Sequence, residues 1–180
     1  MGIGKGKSAR KWYSRMISLL LTLILVCSVP VSAEDEYVTV TFSPQYGQTE
    51  ARKMLDRINA FRTGADAWYW NADDTTKTIC TGLGNLEYDY ALESIAMQRA
   101  AEIAISYSHT RPDGGSCFDA IMTTDYDWYA VGENIAAGYE NENAVFVGWR
   151  EDDCSFSGQG HRRNMLSKEF NRIGIGHVYY

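Results

Sequence analysis

The chain has 180 residues, of which 45% are hydrophobic and 13% aromatic, and it carries a formal net charge of −6. This apolar and aromatic content argues against an intrinsically disordered chain. The length suits one ordinary domain with its own core. Because an acidic protein is repelled by phosphate backbones, we expect no nucleic-acid partner.

The first 33 residues predict a cleavable signal peptide. Five basic residues and no acid precede an apolar run from Met16 to Val29, and small residues end the segment at Ala33. The run is shorter than the ~20 residues of a membrane-spanning helix, so a retained membrane anchor is the less favoured interpretation. We expect a secreted protein, cleaved after Ala33, with a net charge of −11 and no stable membrane span.

Beyond the signal peptide we expect a polar lead-in over residues 34–48 and one domain over residues 49–180. Apolar residues recur at helical spacing from Thr49 to Arg62, which predicts an amphipathic helix. Residues 64–84 show no sustained period, and the aromatic cluster Trp68 to Trp70 within them indicates a long loop anchored by aromatic side chains. Binding of sugars or lipids by this cluster is the less favoured alternative.

The strongest helical pattern runs from Asp89 to about Tyr107, with Asp89 as a capping residue and a single apolar stripe. The end of this helix delivers His109 to a segment rich in proline and glycine, which predicts a turn. The remaining predicted elements are a short strand or extended turn over residues 129–138, a helix from Asn141 to Arg150, one or two helical turns over residues 160–166 and a strand over residues 172–180.

Three separate segments carry polar side chains that could form a site: His109, Glu133 with Asn134, and His161 with Asn164. Two imidazoles and a carboxylate are suited to holding a divalent metal or to acid–base chemistry. Taken one by one, these residues also have ordinary roles as helix-end charges, loop hydrogen-bonding groups or helix-start residues. From the residues alone, these ordinary roles are favoured.

The order of several motifs along the chain indicates a family. The motifs are Arg99-Ala100-Ala101-Glu102, His-Thr-Arg-Pro-Asp-Gly at 109–114, Gly-Glu-Asn-Ile at 132–135, Trp149, Gly-His-Arg-Arg-Asn-Met-Leu at 160–166 and Ile-Gly-Ile-Gly at 173–176. Together they resemble the CAP superfamily of SCP-like extracellular proteins, in versions of bacterial type. This superfamily includes cysteine-rich secretory proteins, antigen five and pathogenesis-related proteins of group one.

The resemblance implies an α+β fold, in the form of a three-layer α–β–α sandwich with a central cleft. Two histidines and two acids point into that cleft. Carried over by motif, His109, Glu133 and His161 are three of the four. The second acid falls at the spacing of Asp152, with Glu151 beside it.

The resemblance also implies structural roles for other positions. Asn134 and Asn164 correspond to positions that tie loops together beneath the cleft, and Trp149 is part of the same framework. Family members usually continue past the Gly-x-Gly strand into another strand, whereas this sequence ends at Tyr180. We therefore expect either a fragment, truncated at the C-terminal strand, or a sheet edge that is completed differently.

The resemblance implies a secreted, non-enzymatic binding module whose extracellular ligand is a lipid, a glycan or a protein. The alternative is a metal-dependent, peptidase-like hydrolase, with Glu133 and Asp152 as candidate catalytic residues. A third interpretation is an exported module in which the four cleft residues serve structure only. In relatives the histidines that match His109 and His161 can bind zinc or another divalent cation, although a binding function requires no cofactor.

Three cysteines, Cys80, Cys117 and Cys154, remain once the signal peptide and its Cys27 are removed. Outside the cytoplasm one disulfide and one free thiol is the simplest arrangement, with three possible pairings, and a fully reduced set is the alternative. Their spacing matches no zinc-binding cysteine pattern. Because Cys117 and Cys154 flank the segments of the expected cleft, they are the preferred disulfide pair.

Overall fold

The computed structural model describes residue 41 and residues 43–179, and the fold is mixed α/β. The predicted signal peptide, its cleavage position and most of the lead-in lie outside the described residues. Within the described residues the regular structure consists of four α-helices and short strands. The helices are α1 (Gln48–Thr63), α2 (Tyr90–Ile105), α3 (Glu142–Arg150) and α4 (Gly160–Met165).

The helices that the apolar periodicity predicts are confirmed, and the observed ends differ from the predicted ones by no more than two residues. Side-chain caps fix two of the starts. The Asp89 carboxylate accepts hydrogen bonds from the amides of Ala91 and Leu92 at 2.9 and 3.1 Å, and Asn141 accepts one from the amide of Ala144 at 2.9 Å. Such caps satisfy backbone donors that have no partner within the helix.

Six short strands form three two-stranded sheets within the described residues. The first and last strands pair antiparallel, as do the second and third, whereas the fourth and fifth pair in parallel. The strands are β1 (Gln45–Tyr46), β2 (Trp68–Trp70), β3 (Lys77–Ile79), β4 (Glu87–Tyr88), β5 (Arg172–Ile173) and β6 (Val178–Tyr179). Because β1 pairs with β6, the fold already includes residues of the predicted lead-in.

The prediction of a loop at the aromatic cluster is wrong, because Trp68 to Trp70 form β2 and pair with β3. The Lys77 ammonium lies 3.3 Å from the ring centroid of Trp68 and 4.5 Å from that of Trp70. Asp73 closes the connecting turn by accepting hydrogen bonds from two backbone amides. Contacts between side chains on its two strands stabilise the hairpin, and such contacts leave no periodic pattern of apolar residues in the sequence.

Two other strand predictions are only partly matched. The predicted strand over residues 172–180 is divided into β5 and β6, and residues 174–177 between them are not in a strand. Residues 129–138 form no strand and run as an irregular segment. Both segments lie beside α2. Their contacts with α2 replace the hydrogen bonds that a neighbouring strand would provide.

The hydrophobic core lies mainly between α1 and α3, together with residues that precede α2 and follow α4. Phe61 and Phe146 meet edge to face, with their ring centroids 6.0 Å apart. The buried members are Ala51, Met54, Ile58, Phe61, Ala67, Leu86, Phe146, Met165, Leu166 and Ile175. None of the helices in the described part of the chain is both long and apolar enough to cross a bilayer.

Candidate functional site

Two histidines from distant parts of the sequence line one solvent-open space, which we call the cleft. Its volume is about 500 Å³. Polar residues and glycines line it: His109, Glu133, Asn134, Glu151, Ser157, Gly158, Gly160, His161, Arg163 and Asn164. The tertiary structure therefore brings together three sequence segments whose proximity the sequence alone leaves open.

Each cleft histidine is held by a carboxylate at its Nδ1 atom. His109 Nδ1 lies 2.7 Å from Glu133 Oε1, and His161 Nδ1 lies 2.6 Å from Glu151 Oε1. A partner at one ring nitrogen fixes the orientation of an imidazole and leaves Nε2 for a ligand. The His109 side chain is 57% exposed and the His161 side chain 32%, so both rings are accessible from the solvent.

A chain of alternating charges positions Glu133. Arg99 on α2 is buried, and its Nε donates to Glu133 Oε2 at 2.8 Å while a terminal nitrogen donates to the Ser108 carbonyl at 2.8 Å. Arg99 also pairs with Glu102, which in turn accepts from Arg111 at 2.7 Å. Burial raises the pKa of Glu102, but the hydrogen bonds from both arginines outweigh this effect and lower it to about 2. Glu102 is therefore ionised at neutral pH.

The second half of the cleft is formed where α3 ends and α4 begins. The chain leaves α3 through Glu151, which adopts a left-handed backbone conformation with φ 49°. Its carboxylate accepts hydrogen bonds from the His161 ring and, at 3.1 Å, from the Arg162 amide. The ring of Trp149 stacks on that of His161, with the two ring centroids 6.1 Å apart. Trp149 Nε1 also donates a hydrogen bond to the Ile135 carbonyl at 3.2 Å. These contacts fix the position of the ring from two sides.

Asn134 and Asn164 connect the two halves of the cleft. Asn164 Nδ2 donates to Asn134 Oδ1 at 2.9 Å and to the Glu133 carbonyl at 3.2 Å. Asn134 Nδ2 donates to the His161 carbonyl at 3.2 Å. The asparagine pair thus links the segment that carries Glu133 to the helix that carries His161, which is the position expected for loop-tying residues.

The acid paired with the second histidine is Glu151, so the assignment of Asp152 to the cleft is wrong. Asp152 instead accepts from Arg162 at 2.6 Å and from Arg150 at 2.8 Å. Arg162 is fully buried, and a buried guanidinium requires a nearby carboxylate. The two acids are sequence neighbours, and spacing alone does not decide which of them faces the histidine.

The preferred disulfide is also wrong, because Cys80, Cys117 and Cys154 are all free thiols in the described residues. Cys117 is buried near Glu133, and burial together with that carboxylate raises the pKa of its thiol. Cys154 is exposed and lies against Gly158 in the other half of the cleft. A buried, protonated thiol is a poor nucleophile, so Cys117 is not an activated catalytic cysteine.

The sequence analysis did not assign Arg99, Glu102, Arg111 or Glu151 to the site, although these residues position both histidines. Arg99 and Glu102 are three residues apart on one helix, a spacing at which opposite charges meet, and this is the signal that could have revealed them. Nothing in the sequence distinguishes Glu151 from Asp152 in this respect.

The donor chemistry of the cleft fits a divalent cation of the kind that the family resemblance implies. Imidazoles are common ligands of zinc, and such ligands usually give their other ring nitrogen to a carboxylate. His109 and His161 both meet this condition through Nδ1. Each imidazole would therefore bind such an ion through Nε2.

A second cavity, of about 610 Å³, lies between α2, the segment around residues 117–136 and the last strands. Its lining is mainly apolar, with Ile95, Ala96 and Ile103 from α2. Glu133, Asn134 and Asn164 line both this cavity and the cleft. The polar pair of asparagines therefore separates an open polar space from a more apolar one.

Residues 55–180 match the sequence model of the CAP family, which is described as the cysteine-rich secretory protein family. The chain is also 30% identical over 151 residues to the uncharacterized protein YkwD of Bacillus subtilis (strain 168). That alignment covers 83% of this chain and 50% of the relative, so the chain spans about half the length of YkwD. No solved structure is significantly similar.

Proposed function

Because the chain belongs to the CAP family, we propose that it is a secreted protein that binds a polar extracellular ligand in the cleft and catalyses no reaction. One observation carries this proposal: two imidazoles, each oriented by a carboxylate, face one open polar cleft. The three-layer α–β–α arrangement of the family around this cleft is part of the proposal.

The fixed orientation of the two rings supports binding. A side chain that is ordered before the ligand arrives loses little conformational entropy when it forms a hydrogen bond, and the affinity rises accordingly. The Nε2 atoms of His109 and His161 are the ring positions left for the ligand. Arg163 and Asn134, which also line the cleft, add donors and acceptors.

The character of the lining favours a sugar or peptide over a lipid. Every residue that lines the cleft is either polar or glycine, whereas an acyl chain requires apolar walls. A lipid ligand would instead have to enter the larger cavity beside α2. The ligand class proposed here is therefore a short glycan or peptide.

No side chain among the described cleft residues is arranged as an activated nucleophile, which argues against covalent catalysis. The Ser157 hydroxyl lies 3.0 Å from the hydroxyl of Ser155, and neither histidine is hydrogen-bonded to it. The Cys117 thiol has a raised pKa. An activated nucleophile requires an adjacent base and an orienting group, and the contacts of Ser157 provide neither.

Histidine side-chain NMR tests the proposal, with a defined panel of neutral oligosaccharides and short peptides as probes. The full chain is expressed, and the protein is purified from the culture medium. We expect at least one panel member to shift the resonances of His109 and His161. His177 lies outside the cleft and stacks near Tyr179, so its resonances serve as an internal control.

Loss of one cleft imidazole should weaken that binding by roughly 5- to 10-fold, the worth of one hydrogen bond. His161→Ala tests this expectation, and His177→Ala is the matched control that should retain full affinity. A panel that produces no shift at either cleft histidine, together with uptake of a fatty-acid probe, would overturn the assignment of a polar ligand.

A further inference from the structure

Cys117 returns to the side of His109 through a tight turn. The Cys117 amide donates to the His109 carbonyl at 3.1 Å, and the Arg111 amide donates to the Gly115 carbonyl at 2.9 Å. Thr110 and Ser116 form an isolated antiparallel bridge between these two contacts. The backbone of this turn therefore holds the cysteine and the histidine together, independently of any ligand.

The thiol, the imidazole and the Glu133 carboxylate form one compact group of donors. One ligand atom each from His109, Cys117 and Glu133 lies within 4.8 Å of the other two. Within the described part of the chain, no other three side chains of His, Cys, Asp or Glu lie this close to one another. The three residues differ in accessibility, since Cys117 is buried and His109 is exposed.

The ligand types select a particular class of cation. Sulfur, imidazole nitrogen and carboxylate oxygen are the three donors that zinc accepts, whereas calcium and magnesium require oxygen. Donors about 2.0 to 2.3 Å from a tetrahedral ion are roughly 3.3 to 3.8 Å from one another. His109 Nδ1 and Glu133 Oε1, now 2.7 Å apart, would separate by roughly half an ångström to reach that geometry, and the Cys117 sulfur, within 4.8 Å of both residues, would have to move little.

The surrounding contacts determine which atoms are available. Glu133 Oε2 accepts from Arg99 Nε, which leaves Oε1 beside His109 Nδ1 at 2.7 Å. An ion between these two atoms would replace the proton that they share now. The imidazole would then carry its proton on Nε2, and the Cys117 thiol would release its proton to the solvent.

We propose that Cys117 Sγ, His109 Nδ1 and Glu133 Oε1 form a binding site for a thiophilic divalent cation such as Zn²⁺. With three protein ligands, the fourth tetrahedral position is open to water or another small ligand. The site differs from a cation held by the two cleft histidines, because it uses a thiolate and does not involve His161. It shares His109 and Glu133 with the cleft proposed above, but it uses the Nδ1 side of the His109 ring and leaves Nε2 for the polar ligand.

Cobalt spectroscopy distinguishes the two kinds of site. We expect Co²⁺ added to the reduced full-length protein to produce a thiolate-to-cobalt charge-transfer band that saturates at one ion per chain. Cys117→Ser should abolish that band and weaken Co²⁺ binding by at least about 10-fold. Cys154→Ser is the matched control, because it removes an exposed thiol and should leave the band unchanged.

His161→Ala separates the proposal from a two-histidine site, because the band should survive this substitution. A band that persists in Cys117→Ser, or that disappears in His161→Ala, would contradict the proposal, as would its absence from the unmodified protein.

Discussion

At the scale of single residues, the buried charges of this protein are compensated by specific partners. Among the described residues Arg162 is fully buried, and it donates to the carbonyl groups of Trp68, Arg150 and Asp66 as well as to Asp152. An uncompensated buried charge is strongly destabilising, so such partners are a condition of folding. Their identity depends on contacts between residues far apart in the sequence.

Glu93 on α2 shows the consequence of such pairing for the pH dependence of stability. Its carboxylate accepts two hydrogen bonds from Arg52, at 2.8 and 2.6 Å, and one from the Tyr88 hydroxyl at 2.5 Å. The Arg52 contact lowers the pKa of Glu93 from its usual value of 4.5 to about 2, although burial acts in the opposite direction. The charged form is therefore favoured by folding.

We predict that Glu93→Gln lowers the free energy of unfolding at pH 6 by roughly 1–3 kcal/mol, because the hydrogen bonds to a charged acceptor are weakened. A pKa that is lower in the folded state stabilises the protein above the unfolded pKa. That contribution is lost as the pH falls through the folded pKa. The difference between the two proteins should therefore shrink between about pH 4.5 and pH 2.

Urea unfolding curves at several pH values measure this difference. Glu140→Gln, at an exposed position, is the control and should change the stability little at any pH. A destabilisation by Glu93→Gln that is the same at pH 6 and at pH 2.5 would show that packing rather than charge is responsible.

At the scale of elements, the last part of the chain lies directly against the backbone of α2. A side chain at Gly174 would overlap the backbone of Leu92 and Glu93, and one at Gly176 would overlap the backbone of Ala96 and Met97. Only glycine permits so close an approach. This contact explains why the predicted strand over residues 172–180 is divided into β5 and β6.

We predict that Gly176→Ala destabilises the protein by about 1–3 kcal/mol, since the added methyl group meets backbone atoms that cannot turn aside. Thermal unfolding followed by circular dichroism measures the effect. Gly84→Ala provides the matched control, because its methyl group would meet nothing within 4 Å and should leave the melting temperature unchanged or slightly raised. Equal melting temperatures for Gly176→Ala and the unmodified protein would contradict the close packing.

At the scale of the whole molecule, the described domain is preceded by a segment with the composition of a secretion signal. Membership of the CAP family agrees with an extracellular location, because the family is described as cysteine-rich secretory proteins. Export would also remove five basic residues and no acid, so the net charge would change from −6 to −11. Secretion and cleavage remain predictions.

We predict that the protein recovered from the medium of an expressing host begins at Glu34. Signal peptidase recognises an A-x-A-like pattern, and Ala33 supplies the small residue directly before the cleavage site. N-terminal sequencing and intact mass measure the product. Ala33→Phe should block processing and retain the leader, whereas a secreted product of the unmodified sequence that still begins at Met1 would refute the predicted cleavage.

The helices could be predicted from the sequence, because their apolar periodicity and capping residues act over a few neighbouring positions. The capped start of α2 at Asp89 is an example. The order of the motifs was also sufficient to indicate the family and to select His109, Glu133 and His161 as residues of one site. These signals depend only on local chemistry and on sequence order.

Which of two neighbouring acids meets His161 depends on tertiary contacts: Glu151 pairs with the histidine, and Asp152 pairs with the buried Arg162. The tertiary structure also placed Cys117 beside His109 and Glu133 as a free thiol rather than in a disulfide. Each of these outcomes depends on contacts between segments that are distant in the sequence. A one-residue choice between similar side chains leaves no local pattern, and the need of a buried guanidinium for a carboxylate partner decides it.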